Sequence, residues 1–121
     1  MARNLYKDLI VWQKSIELVK EIYQISEKLP KSEYYNLKQQ LKRAIISVAL
    51  NIAEGKNRKT SKDFAYFLNM SMASLAEVEA ILIICEELNY LHDIDHIYAK
   101  IEILGKMLNS LKSKLLAKET K

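Results

Sequence analysis

Apolar residues recur at alternating steps of three and four along nearly the whole chain, and four segments carry that rhythm. The first spans about residues 8–29 and sets Leu9, Trp12, Ile16, Val19 and Tyr23 on one helical face. Leu18, Ile22, Ile25 and Leu29 form a second stripe beside it. The apolar arc therefore approaches half the cylinder, wider than one packing seam needs. Pro30 stops this helix. The second segment spans about 32–54, with Ser32 as its expected N-cap and a core stripe of Leu37, Leu41, Ala44, Ile45, Val48 and Ile52. Ile46, Ala49, Leu50 and Ala53 face elsewhere, and Gly55 stands where a left-handed C-terminal cap is expected. The third spans about 61–91, capped by Thr60 or Ser61, with Asp63 favourable in the first turn. Phe64, Phe67, Leu68, Ser71, Leu75, Val78, Leu82 and Cys85 share its core face. The fourth spans about 94–117, where Ile94, Ile97, Ile101, Leu104, Leu108, Leu111 and Leu115 hold the rhythm. Gly105 lies beside that stripe. It costs roughly 1 kcal/mol of helix propensity relative to alanine, which predicts close packing there.

The connections are short, and short connections make successive helices antiparallel neighbours. The expected fold is all-α, an antiparallel up-down-up-down four-helix bundle in one domain over residues 1–121. Composition agrees: half of the 121 residues are apolar, with two glycines and one proline. Sandwiches and barrels need many more turn residues than that. The single Cys85 excludes an internal disulfide, and its apolar run predicts a buried, inert thiol. The polar start Met1-Ala2-Arg3-Asn4 does not resemble a signal peptide. The apolar window 64–85 contains Asn69, Glu77 and Glu79. Each glutamate at mid-bilayer would cost about 3 kcal/mol, which predicts a buried bundle helix, no membrane contact and a cytoplasmic protein.

The net charge of +4 understates the charge pattern. Between residues 38 and 62 lie seven basic residues, Lys38, Lys42, Arg43, Lys56, Arg58, Lys59 and Lys62, against the one acidic Glu54. Between 77 and 95 lie six acidic residues, Glu77, Glu79, Glu86, Glu87, Asp93 and Asp95, and no lysine or arginine. An up-down bundle puts the second turn and both termini at one end. That end should gather Arg3, Lys7, Lys56, Arg58, Lys59, Lys62, Lys112, Lys114 and Lys118, with the acidic turn opposite. Such a pole attracts polyanions; lysine-rich turns that merely aid solubility are the plainer account. No aromatic residue is interleaved in the basic turn, so phosphate contact is expected rather than base stacking.

No catalytic constellation is present. His92 and His96 are four apart, but the fourth helix begins between them, so they do not share a face and no metal site is expected. Glu77 and Glu79 are two apart and point to different sides of their helix. There is no Glu-x-x-His pair of the di-iron kind, no glycine-rich phosphate loop and no nucleophile elbow. The chain is expected not to be an enzyme and to need no cofactor. Glu54, opposing its helix dipole, is expected to organise the turn with Asn51 and Gly55, partnered by Arg58 or by a backbone N–H of the next helix.

Several segments go beyond generic pattern. They are Asp8-Leu9-Ile10-Val11-Trp12-Gln13-Lys14-Ser15, Leu41-Lys42-Arg43-Ala44, Asn51-Ile52-Ala53-Glu54-Gly55 followed by Arg58, then Phe67-Leu68 and Ser74-Leu75-Ala76-Glu77. In that order they resemble the four-helix-bundle family named after proteins encoded in intervening sequences of bacterial 23S ribosomal RNA genes. The family includes the accessory variability determinant of diversity-generating retroelements. The resemblance covers nearly the whole chain, and the tryptophan and Asn-Ile-Ala-Glu-Gly segments carry most of it. It implies an up-down bundle, assembly into a homopentamer and no catalysis. For the retroelement branch it implies binding of nucleic acid and of a reverse transcriptase through basic surfaces. The shared motifs do not choose the branch.

Two functions follow as expectations. One is a non-catalytic, homo-oligomeric accessory protein that binds RNA or DNA, with phosphate contacts from Lys42, Arg43, Lys56, Arg58, Lys59 and Lys62. The other is an oligomeric protein-interaction scaffold to which nucleic acid is irrelevant. The surplus apolar arc on the first helix, with the extra apolar residues on the second and third, favours assembly in either case.

Overall fold

The computed structural model describes Tyr6 and residues 9–119. Four helices account for most of it: α1 Ile10–Ser26, α2 Leu37–Lys56, α3 Ser61–Glu87 and α4 Asp95–Glu119, with a short 3-10 turn Lys31–Glu33 before α2. Each helix packs on its neighbours in sequence, and α4 closes back on α1. This is the antiparallel up-down-up-down bundle that the pattern predicts. The start expected at residue 8 for the first helix, and the cations Arg3 and Lys7, lie outside the described residues.

The core is a continuous column drawn from all four helices. Ile22, Leu41, Ile45, Ile52, Leu68, Leu82, Ile97, Leu104 and Leu108 are fully enclosed. Each such side chain contributes about 1.5–3 kcal/mol on burial. The four sides of the bundle are unequal. The α2–α3 seam is the most extensively packed and the α1–α4 seam the least.

Small polar residues explain the tight seam. Ser71 Oγ donates to the Val48 carbonyl at 2.7 Å, and Ser74 Oγ donates to Ser47 Oγ at 2.8 Å. These replace methyl-on-methyl contacts with short bonds and satisfy the hydroxyls.

Helix ends differ from expectation where local turn chemistry decides. α1 stops at Ser26; Glu27, Lys28 and Leu29 tighten into i→i−3 bonds before Pro30. Ser32 does not cap α2. The N-cap is Asn36, whose side chain accepts from Gln40 and donates to Glu33 instead of capping. α3 starts where expected, with Thr60 accepting the Asp63 N–H at 3.0 Å. It ends at Glu87 rather than 91. Asn89 turns left-handed (φ 63°), its N–H reaches the Glu86 carbonyl, and Tyr90 N–H reaches the Cys85 carbonyl. That is a Schellman closure with asparagine in the glycine position.

Two glycine expectations are corrected. Gly55 is not a left-handed cap: it is buried inside α2 and no glycine has positive φ. Its role is close approach, since a Cβ there would lie 2.8 Å from both Phe64 Cδ1 and Phe67 Cβ. Gly105 is not at a close approach, since a Cβ there would meet only Leu75 Cδ2 at 3.7 Å, an ordinary contact.

α3 is also less buried than predicted. It is long and apolar enough to cross a membrane, yet only 33% of its most apolar stretch is buried in the bundle. Tyr66, Met70, Ile83, Ile84 and Leu88 are all exposed along its outer side.

Candidate nucleic-acid interface at the basic end

The α2–α3 turn is built around Gly55. With no side chain there, Phe64 and Phe67 of α3 press against the last turn of α2 and fix how the chain reverses. Lys56 ends α2, Arg58 and Lys59 occupy the turn, and Lys62 follows the Thr60 cap. All four cations are thus brought to one end of the rod. Lys112 joins them from α4, donating to Asn69 Oδ1 of α3 at 3.2 Å. Lys114 and Lys118 lie further along the same helix toward that end.

Arg58 is held from two sides. Its guanidinium pairs with the Glu54 carboxylate one turn back and lies 4.6 Å from the centre of the Phe67 ring. Glu54 therefore offsets one positive charge while holding the turn. A planar guanidinium on an aromatic face keeps further N–H groups available to phosphate oxygens. Lys56 reaches over the Phe64 ring at 6.0 Å. Lys59 is exposed.

Other residues assigned to this end by sequence fall elsewhere. Asn51 is not a turn residue; it sits within α2, and its amide donates to the Ser47 carbonyl at 2.9 Å. Lys42 and Arg43 are more than a dozen residues back along α2, about 20 Å from Lys56 at 1.5 Å per residue. Lys42 is half-buried against α1, 3.6 Å from Glu27 and over the Tyr23 ring at 4.8 Å. Lys38 shares the same carboxylate at 3.2 Å. The Glu27 carboxyl is held below its ordinary value, first by the Lys38 hydrogen bond and charge and then by Lys42. That pairing takes Lys42 out of the basic pole. Arg43 is exposed but separate from it.

The turn also has aromatic neighbours. Tyr66 is exposed and meets Phe67, the ring that Arg58 lies over, edge-on with ring centres 5.3 Å apart. The signal lay in Phe64-Ala65-Tyr66-Phe67, just past the basic stretch, where helical geometry folds it back onto the turn.

The opposite end is acidic on balance: Glu27, Glu33, Glu86, Glu87, Asp93 and Asp95 outnumber Lys28, Lys31 and Lys38 there. Tyr98 donates to Glu86, and Tyr90 donates to Glu33 at 3.2 Å. Burial first, and those carboxylates next, raise both phenols above their ordinary values. His92, Asp93 and His96 are exposed there, and among the described residues no group of three metal-ligating side chains forms.

The structure is thus that of a small four-helix-bundle protein with a cationic pole, and no catalytic constellation is assembled among its described residues. The profile of the 23S rRNA-intervening sequence protein family matches residues 7–110, and the chain belongs to that family. Curated proteins give no significant match. Among solved structures, the fold is similar to a protein of unknown function from the S23 ribosomal protein family of Bacteroides thetaiotaomicron. The TM-score is 0.68 and the identity 23%, over 85% of this chain and 94% of that one.

Proposed function

We propose that this chain is a non-catalytic, homo-oligomeric accessory protein that binds RNA or DNA by phosphate contacts at its basic end. The observation that carries the reading is the convergence of Lys56, Arg58, Lys59 and Lys62 with Lys112 at one end of the bundle. Glu86, Glu87, Asp93 and Asp95 stand at the other end. A dipolar rod of this kind steers a polyanion onto one pole. Lys42 and Arg43 are secondary in this reading, since Lys42 already serves Glu27.

The family resemblance supplies the finer parts, a homopentamer and service to a reverse transcriptase or another nucleic-acid enzyme, while Glu77 and Glu79 inside the apolar window support a cytoplasmic location. A pentamer would present five copies of the pole and multiply a weak single contact. The test is a titration with structured RNA from about 50 to about 300 mM salt. Affinity should fall steeply as salt rises; absent binding, or binding indifferent to salt, refutes the reading.

A second reading, an interaction scaffold for another protein, is favoured by the exposed apolar side of α3. Pull-down after nuclease treatment separates the two. A stoichiometric protein partner that survives nuclease supports the scaffold.

A further inference from the structure

Among the described residues, two surfaces of the bundle lack a partner, and they match each other. The first is the outer stripe of α3, where Tyr66, Met70, Ala73, Ala80 and Ile84 recur at helical spacing and are exposed. The ionic residues interrupting and flanking that stripe, from Tyr66 to Leu88, are all glutamates: Glu77, Glu79, Glu86 and Glu87. The second is the loose α1–α4 seam. At the end where α1 begins it opens into a cleft of about 580 Å³, floored by Leu9, Val11, Met107 and Leu111, with Ile10 exposed at its edge. Its described charged lining residues are Lys106 and Lys114. Lys106 makes only a long, exposed pair with Glu102, at 3.8 Å. Smaller clefts continue along the same seam beside Leu18 and Ile103, and then beside Ile25 and Ile97.

We propose that the α3 stripe of one copy seats in the α1–α4 groove of the next, with Glu77 brought to Lys106 and Lys114. This deepens the self-association in the reading above and rests on that part of it alone. Three arguments support the pairing. An apolar helix face of more than five turns is far more than a monomer normally leaves in water. The small Ala73 and Ala80 let a partner backbone approach, while Met70 and Ile84 supply knobs for a groove that α1 and α4 fail to close. Finally, pairing α3 with its own copy would set glutamate against glutamate, whereas the open end of the groove offers Lys106 and Lys114, and further along it Glu17 and Glu21 are already paired with Lys14 and Lys100. The two surfaces lie on different sides of one molecule, so the contact is heterologous. Repeated, it builds a ring if the rotation closes and never a closed two-fold dimer.

The pairing makes complementation the decisive experiment. One variant breaks the stripe, Met70→Glu with Ile84→Glu; the other breaks the groove, Ile10→Glu with Lys114→Glu. All four positions are exposed, so the fold survives, which circular dichroism checks. Nuclease-treated protein is sized by sedimentation equilibrium. Wild type should form a multi-copy assembly, and each variant alone should sediment near the 14.1 kDa chain mass. An equimolar mixture should give a complex of twice that mass and nothing larger, because each chain retains one intact surface. A monomeric wild type, a variant that stays fully assembled, or a mixture that stays monomeric overturns the proposal. RNA titration of the stripe variant, which leaves every cation of the basic pole in place, reports separately on that pole, so failure of the interface and failure of nucleic-acid binding remain distinct.

Discussion

Gly55 and Phe64 touch so closely that no side chain fits between them: a Cβ on Gly55 would sit 2.8 Å from the ring edge and 3.2 Å from the Phe64 carbonyl oxygen. Phe67 Cβ blocks the other side at 2.8 Å, and a Cβ cannot swing away as a side-chain tip can. Gly55→Ala therefore forces α3 off α2 although alanine is the better helix former. The overpacking cost of about 1–3 kcal/mol outweighs a propensity gain of about 1 kcal/mol. Urea unfolding should show a net loss of stability. A variant as stable as wild type would mean that the seam yields at no cost.

Gly105 predicts the opposite sign. Its added methyl would meet one flexible Leu75 methyl at ordinary contact distance. Gly105→Ala then gains helix propensity without strain, about 0.5–1 kcal/mol. Thermal unfolding should shift upward by a few degrees; a downward shift would expose a packing constraint that the contact distances do not contain.

Cys85 links the core to alkaline pH. The thiol is fully enclosed, and burial first, with the nearby Glu33 charge second, pushes it up to about 11 from an ordinary 9.0. The folded state therefore holds the thiol proton more tightly than the unfolded chain does. Its contribution to stability is complete below about 9 and is lost as pH rises toward about 11. Chemical denaturation between pH 8 and pH 11, roughly the interval set by the two thiol values, should show falling stability. Cys85→Ala should flatten part of that fall, the remainder belonging to Tyr90 and Tyr98, which are raised in the same direction. A thiol reagent at neutral pH should react no faster than the protein opens.

How much of this was legible in the sequence depends on which contacts a feature needs. Leu41, Ile45, Val48 and Ile52 declare their helix and their face from spacing alone, because amphipathic periodicity is local. The stop at Glu87 was not legible, since the apolar pattern runs on to Leu91 and only the left-handed turn at Asn89 cuts it. Gly55 was visible as special, but for the wrong reason: the constraint comes from Phe64 and Phe67 on another helix. Lys42 announced its charge and hid its partner, because Glu27 lies just past the end of α1, fifteen positions away in sequence. The apolar run of α3 suggested a buried bundle helix with apolar residues to spare off its core stripe. Hydropathy alone does not distinguish a face turned to the core from one turned outward.

The basic pole makes the last prediction, and its members should differ among themselves. Lys59 is exposed on the turn, so Lys59→Gln should weaken binding to structured RNA and reduce the salt slope by about 0.7–0.9, one phosphate contact. Lys42→Gln should leave affinity nearly unchanged, because that ammonium is committed to Glu27 and to the Tyr23 face. Glu54→Gln separates electrostatics from packing. It removes the carboxylate that neutralises Arg58 but leaves Phe67 beneath the guanidinium. The pole gains one net positive charge and the arginine gains free donors, so RNA affinity should rise and its salt dependence steepen. Fluorescence anisotropy at several salt concentrations measures all three. If Lys42→Gln weakens binding as much as Lys59→Gln, the nucleic acid lies along the flank of α2 rather than across its end. If Glu54→Gln weakens it, the carboxylate acts chiefly to hold the shape of the turn.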